Sequence, residues 1–202
     1  MSTVVATGVP PSPPAARARS RPAAWWGMVM LIVTESMIFA ALISSDVFIR
    51  ASSAHWPPSG TPEPELGTIG VFSVVLLGSS VPVWWSERAI RRGRMAQVRS
   101  ALGAAFLMGA GFLAYTIWEL SHSEGGWTDS AYFSVFHTIV GLHAIHVALG
   151  LAMSVGVQAK AWSGRIDAER HMTLRMFAMY WHFVDAIWVV VFTTLYLSVV
   201  WW

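Results

Sequence analysis

Glu35, the pair His143 and His146, and the run Trp181-His182-Phe183-Val184-Asp185 are the residues of this chain with chemistry to offer. All of them lie inside apolar stretches long enough to cross a membrane. Carboxyl and imidazole groups can relay protons, ligate metals or hold one another by hydrogen bonds. An ionised group alone at membrane depth is costly, so each must be protonated, paired or put to use. Glu35 lies near midplane, ~15 Å into its span at 1.5 Å per residue. It suits a proton relay or head-group contact on one reading and a helix-to-helix hydrogen bond on another. His143 and His146 are three residues apart and share a helix face with Gly150, while His137 sits half a turn round from His146. His182 and Asp185 are one turn apart, on a face with Trp181 and Trp188, and can touch directly.

Four readings of these groups compete. A b-type haem needs two His on different helices at matching depth, which His146 and His182 could supply. A metal could sit at His143 and His146 with a carboxylate, although the second Glu-x-x-His of a di-iron bundle is missing. A transporter-type proton path needs broken helices or repeats, and only Pro82 hints at a break. The remaining reading is that the groups satisfy one another and fix helix register. That is the expectation for most of them.

The elements that must position these groups are five membrane spans, at about 25–48, 67–87, 100–120, 131–157 and 174–200. Each reaches the ~20 residues that ~30 Å of hydrocarbon requires. The 202 residues are 55% hydrophobic and 12% charged, a charge content too low for a water-soluble surface. Many of the twelve Trp fall near span ends, where an amphipathic ring favours the interface. The absence of Cys excludes disulfides, thiolate metal sites and a Cys nucleophile.

Residues 1–22, rich in Pro, Ala and Ser, read as a disordered cytoplasmic tail and not as a cleavable signal. Residues 23–202 read as one five-helix domain. Of the thirteen Lys and Arg, twelve lie in the tail or in the loops after the second and fourth spans, and only Arg50 lies on the other side. The positive-inside rule therefore puts the N-terminus in the cytoplasm and the C-terminus in the periplasm or outside. The fold class is all-α, a polytopic membrane bundle. His55 to Pro64 reads as a stiff, extended loop. Pro82 should bend the second span, with Ser79 and Ser80 near the freed backbone groups. Gly141, Ala144 and Ala148, and likewise Gly103, Ala110 and Ala114, read as small-residue strips for close helix packing.

These residues resemble a known family. Trp26-Gly27-Met28 followed by Thr34-Glu35-Ser36, Trp56-Pro57-Pro58 with Gly60 and Pro62, Asp129 to Phe133, Gly141-Leu142-His143-Ala144-Ile145-His146-Val147, and Tyr180 to Asp185 with Trp188 are similar to subunit III of the haem-copper respiratory oxidases of cytochrome c oxidase type. The resemblance covers about 25–202. It implies a non-catalytic accessory subunit with no catalytic, cofactor or metal residues of its own. Haem and copper would sit in partner subunits. The subunit would stabilise subunit I, contact other oxidase subunits, bind phospholipid and support proton uptake, in a bacterial cell membrane and with no nucleic-acid partner.

The longer family form has seven spans with lipid in a cleft. Five appear here, as in shortened bacterial subunits. The expected polar network and proton-support candidates are Glu35, His143, His146, His182 and Asp185. Arg88, Arg91, Arg92 and Arg94 are candidates for anionic lipid head groups, or only set topology. A related membrane protein of nitric oxide reductases, a free-standing haem b carrier and a transporter are the alternatives.

Overall fold

Lipid offers no hydrogen bonds to the backbone, so apolar runs of this length must close their own amide bonds as helices. All five expected spans do so. A computed structural model describes residues 22–53, 66–123 and 125–198. The expected tail, apart from Pro22, and the Pro-rich loop 55–64 lie outside the described residues. The first span is α1 (Ala23–Ser52). The second is built from α2 (Leu66–Gly78) and α3 (Ser80–Arg91). Then come α4 (Met95–His122), α5 (Ala131–Trp162) and α6 (Met172–Phe192), which runs on through a π turn at Thr193–Leu197.

Pro82 explains the division of the second span. It has no N–H to give to the Gly78 carbonyl, and the ladder loosens one turn earlier. There the Ser79 amide is shared between Val75 O and Leu76 O, and Val83 N reaches back to Ser79 O at 3.4 Å. The side chains of Ser79 and Ser80 do not patch the backbone, as the sequence suggested. They are turned toward α6.

The helix ends follow local chemistry. Ser130 caps α5 by accepting from Phe133 N. The reversals after α3 and α5 each pass through a left-handed residue, Gly93 at φ 68° and Gly164 at φ 67°, where a side chain would be strained. In the turn before α6, Asp167 accepts from the amides of Glu169 and Arg170. The hydrogen bond from the Arg170 backbone is the largest influence holding that carboxyl below its usual range.

In the bundle, α1 rests on α5 and α6, while α2 and α3 rest on α4 and α6. The most apolar stretch of α5 is 50% buried within the chain, that of α1 only 6%. The tightest packing is at Trp181. A Cβ on Gly109 would lie 2.6 Å from its ring and one on Gly150 2.9 Å, so α4 and α5 both need glycine there. The glycines of the small-residue strips read from the sequence are not the close contacts, although Ala144 is buried and Ala110 packs against the core. Gly103 and Gly141 have open space where a side chain would go, and Ala114 and Ala148 are exposed. Pattern alone marked small residues. The width of the indole decides which of them matter.

Candidate functional site

Two seams carry the polar groups at membrane depth. Along the α3–α6 seam, the serines of the broken second span face the aromatic and acidic face of α6. Trp181 donates its indole N–H to Ser79 Oγ at 2.8 Å, and Trp188 donates to Ser73 Oγ at 2.9 Å. Between them, Ser80 Oγ contacts both His182 Nδ1, at 2.9 Å, and Asp185 Oδ2. His182 and Asp185 were expected to touch directly. Ser80 instead stands between them, and that role was not foreseen. Asp185 is buried at 5% exposure, and its other oxygen, Oδ1, has no hydrogen-bond partner among the described residues.

The α1–α5 seam holds the second carboxyl–imidazole pair. Glu35 Oε2 lies 3.1 Å from His146 Nε2. His146 Nδ1 lies 2.8 Å from Leu142 O. A carbonyl can only accept, so the hydrogen is on Nδ1, and Nε2 and Glu35 face each other across one shared position. The Glu35 side chain keeps 29% of its surface exposed on the flank of α1. Tyr180 donates to His146 O at 3.1 Å, tying α6 to the same turn of α5.

His143 departs from the expected mutual satisfaction. It is wholly buried, and among the described residues neither ring nitrogen has a hydrogen-bond partner. Its neighbours are rings: Trp188 at 4.7 Å between centroids, Phe112 at 6.0 Å and Phe39 at 6.4 Å. The i, i+3 spacing places it beside His146 but gives it a different environment. His137, by contrast, is engaged by Ser123 Oγ at 2.9 Å and by Phe133 O at 2.8 Å.

A third cluster, absent from the sequence reading, lies at the end opposite the Arg-rich loops. Arg50 donates to Asp46 Oδ2, to Thr194 O in the π turn and to Ser198 Oγ. It thereby clasps the end of α1 to the end of α6. Nearby Tyr196 donates to Glu119 at 3.4 Å. The Asp46 and Arg50 pair, four residues apart at a span end, was the available signal for this cluster.

The head-group candidates Arg88, Arg91, Arg92 and Arg94 are all exposed around the turn between α3 and α4. Arg88 lies 3.5 Å above the Trp84 ring. Arg99 turns inward instead, to Ala161 O. An apolar groove of about 740 Å³ lies between α2 and α6, lined by Gly67, Gly70, Val74, Trp188, Phe192 and Leu197 among others. It is at the opposite end of α2–α3 from these arginines, so the two are separate features.

Both nitrogens of His146 are engaged, and His182 uses Nδ1 on Ser80. Among the described residues, no three His, Asp or Glu side chains converge as a metal site would require.

The profile of cytochrome c oxidase subunit III matches residues 20–202. The chain belongs to this family. It is similar to the cytochrome c oxidase subunit 3 of Synechocystis sp., 35% identical over 173 residues, which are 85% of this chain and 74% of that protein. The cytochrome c oxidase subunit 3 of Thermostichus vulcanus is 30% identical over 85% of each chain. The cytochrome bo(3) ubiquinol oxidase subunit 3 of Pseudomonas aeruginosa is 31% identical over 85% of this chain and 83% of that protein. As a member of the subunit III family with five helices long and apolar enough to span, the chain is a multi-pass membrane protein. Both seams fall within the matched region.

Proposed function

We propose that this chain is a non-catalytic accessory subunit of an aerobic haem-copper terminal oxidase, seated against the catalytic subunit I in a bacterial cell membrane. The observation that carries the reading is the family match across all five spans. The uneven cover of the bundle supports it. The apolar flank of α1, with Met30, Val33, Met37, Val47 and Phe48 exposed, needs a neighbouring subunit or lipid over it. Relatives include subunits named for both cytochrome c and ubiquinol oxidases, so the proposal names the oxidase class and not its electron donor. The N-terminus and residues 1–22 face the cytoplasm in this reading, with 23–202 as the subunit III domain. Phospholipid head groups bind at Arg88, Arg91, Arg92 and Arg94, each contributing about 1 kcal/mol near anionic lipid. Glu35 and its partner His146 support proton uptake during turnover. Haem and copper belong to the partner subunits.

Gentle detergent purification through a tag on this chain tests the assignment. A larger haem-containing partner that reduces oxygen is the expected result. A nitric oxide reductase in its place would move the chain to the related accessory protein, and a coloured chain without partners would overturn the accessory reading.

A further inference from the structure

We propose that Ser80, His182 and Asp185 form a site that binds one proton, held on Asp185 or on His182 and exchanged between them through the Ser80 hydroxyl. This goes beyond the accessory role and requires nothing of the assembly. It stands on α3 and α6 alone.

The geometry sets the chemistry. Ser80 Oγ contacts Asp185 Oδ2 and His182 Nδ1 together. A hydroxyl has one hydrogen to donate and lone pairs to accept with, so it donates to one neighbour and accepts from the other. Two arrangements satisfy it with one proton shared between the acid and the imidazole and no net charge. In the first, Asp185 is a carboxylic acid and donates from Oδ2 to Ser80, and Ser80 donates to the bare Nδ1 of a neutral His182. In the second, Ser80 donates to an Asp185 carboxylate and receives the Nδ1–H of a His182 imidazolium. Passing between them breaks the Asp185 O–H bond and the original Ser80 O–H bond. It forms a new Ser80 O–H bond and the Nδ1–H bond. Ser80 ends as a hydroxyl, and one proton has crossed.

Both arrangements hold one proton and carry no net charge. Removing that proton would leave a lone carboxylate at depth, and adding a second would leave a lone imidazolium. Each uncompensated charge is expensive there. Asp185 Oδ1 strengthens the case. A carboxylate seeks donors at both oxygens, yet Oδ1 is buried with none among the described residues. A proton kept within reach of Oδ2 relieves that deficit. Among the described residues no other titratable side chain is hydrogen-bonded to Ser80, His182 or Asp185. Glu87 on α3 bears electrostatically on His182 from the Arg-rich side. On α5 and α1, His146 and Glu35 are bonded to each other. The break before Pro82 makes the bridge possible, because it turns Ser80 toward α6.

The test uses the chain in its native membrane complex, purified by a tag, with ¹³C-labelled aspartate and ¹⁵N-labelled histidine. His182→Gln removes one home for the proton, so the carboxylic-acid C=O band of Asp185 should grow. Asp185→Asn removes the carboxylate that compensates an imidazolium, so the imidazolium ¹⁵N signal of His182 should be lost and the neutral ring's signals should gain. Ser80→Ala should decouple the two, with each signal now indifferent to replacement of the other group, and Ser80→Thr should restore the coupling. An assembled His182→Gln complex with an unaltered Asp185 band, or Asp185→Asn with unaltered His182 nitrogens, would overturn the proposal. If these variants do not assemble, the unsubstituted complex decides. On cooling, the Asp185 carboxyl and His182 nitrogen signals should shift together as the shared proton redistributes. Independent or absent shifts overturn the site.

Discussion

The two carboxyl–imidazole pairs differ in how the chain brings them together. On the α1–α5 seam, Glu35 and His146 come from helices far apart in sequence and meet directly, with Glu35 partly exposed on the flank of the bundle. On the α3–α6 seam, His182 and Asp185 lie one turn apart on the same helix, yet a serine from a second helix joins them, and Asp185 is enclosed. A direct pair on a flank can be lost with little disturbance, because the freed groups are near the edge of the chain's own packing. In the bridged pair Asp185 is buried, so the loss of its partner leaves a polar group with no water to turn to. The α3–α6 seam should therefore govern folding, and the α1–α5 seam should govern what the chain does to a neighbour.

The sharpest way to break that contrast is to attack the packing around the α3–α6 seam. Gly109→Leu puts a side chain where the Trp181 ring lies, 2.6 Å from the position of its Cβ. Trp181 is pinned by Ser79, so the ring cannot swing away without losing its hydrogen bond. Overpacking typically costs about 1–3 kcal/mol and sometimes more. Loss of most folded protein in the membrane fraction is expected. A normal yield would show that α4 and α6 can separate freely.

Asp185→Leu comes next. It removes the carboxyl partner of Ser80 and leaves the hydroxyl and His182 to find other partners. An unmet buried polar group costs about 1–3 kcal/mol. Reduced assembly and a lower melting temperature in detergent are the expected outcome. Full assembly at the wild-type melting temperature would put the two seams on an equal footing.

Arg50→Met tests the outer clasp of α1. It leaves Asp46, at 2% exposure, without its cation and frees Thr194 O in the π turn. Because α1 leans on the bundle over little of its surface, faster proteolysis or exchange at its outer end is expected, with the α3–α6 seam unaffected. Equal loss of protection in both regions would mean that the bundle melts as one unit.

The sequence made the spans legible because membrane depth imposes long apolar runs, and no soluble fold competes for that pattern. It also made Glu35, His146, His182 and Asp185 visible, since polar groups in such runs stand out. Their partners were harder to read. Ser80 is a common residue beside a proline, and its turn toward α6 depends on how the ladder loosens at Ser79. His143 and His146 share a spacing but not an environment, because Phe112, Phe39 and Trp188 come from three other helices. Gly109 and Gly150 matter through one indole ring that no helical period reveals. Arg50 stood out only as the one basic residue on the far side, although Asp46 was already four residues away.

Glu35→Ala is expected to have the smallest effect on the fold. Hydrogen bonds between membrane helices average about 0.6 kcal/mol in measured cycles. His146 also keeps Leu142 O as a partner for Nδ1, and Tyr180 still holds the backbone at that turn. The complex should assemble in near-normal yield and reduce oxygen at first. Its activity should then decline faster over repeated turnover, or its proton uptake should slow, because the flank of α1 has lost its one carboxyl at this depth. Oxygen consumption followed to exhaustion, beside proton uptake in vesicles, separates the outcomes. Immediate and complete inactivity in a fully assembled complex would assign Glu35 to the reaction itself and remove the contrast between a seam that folds the chain and a seam that serves its neighbour.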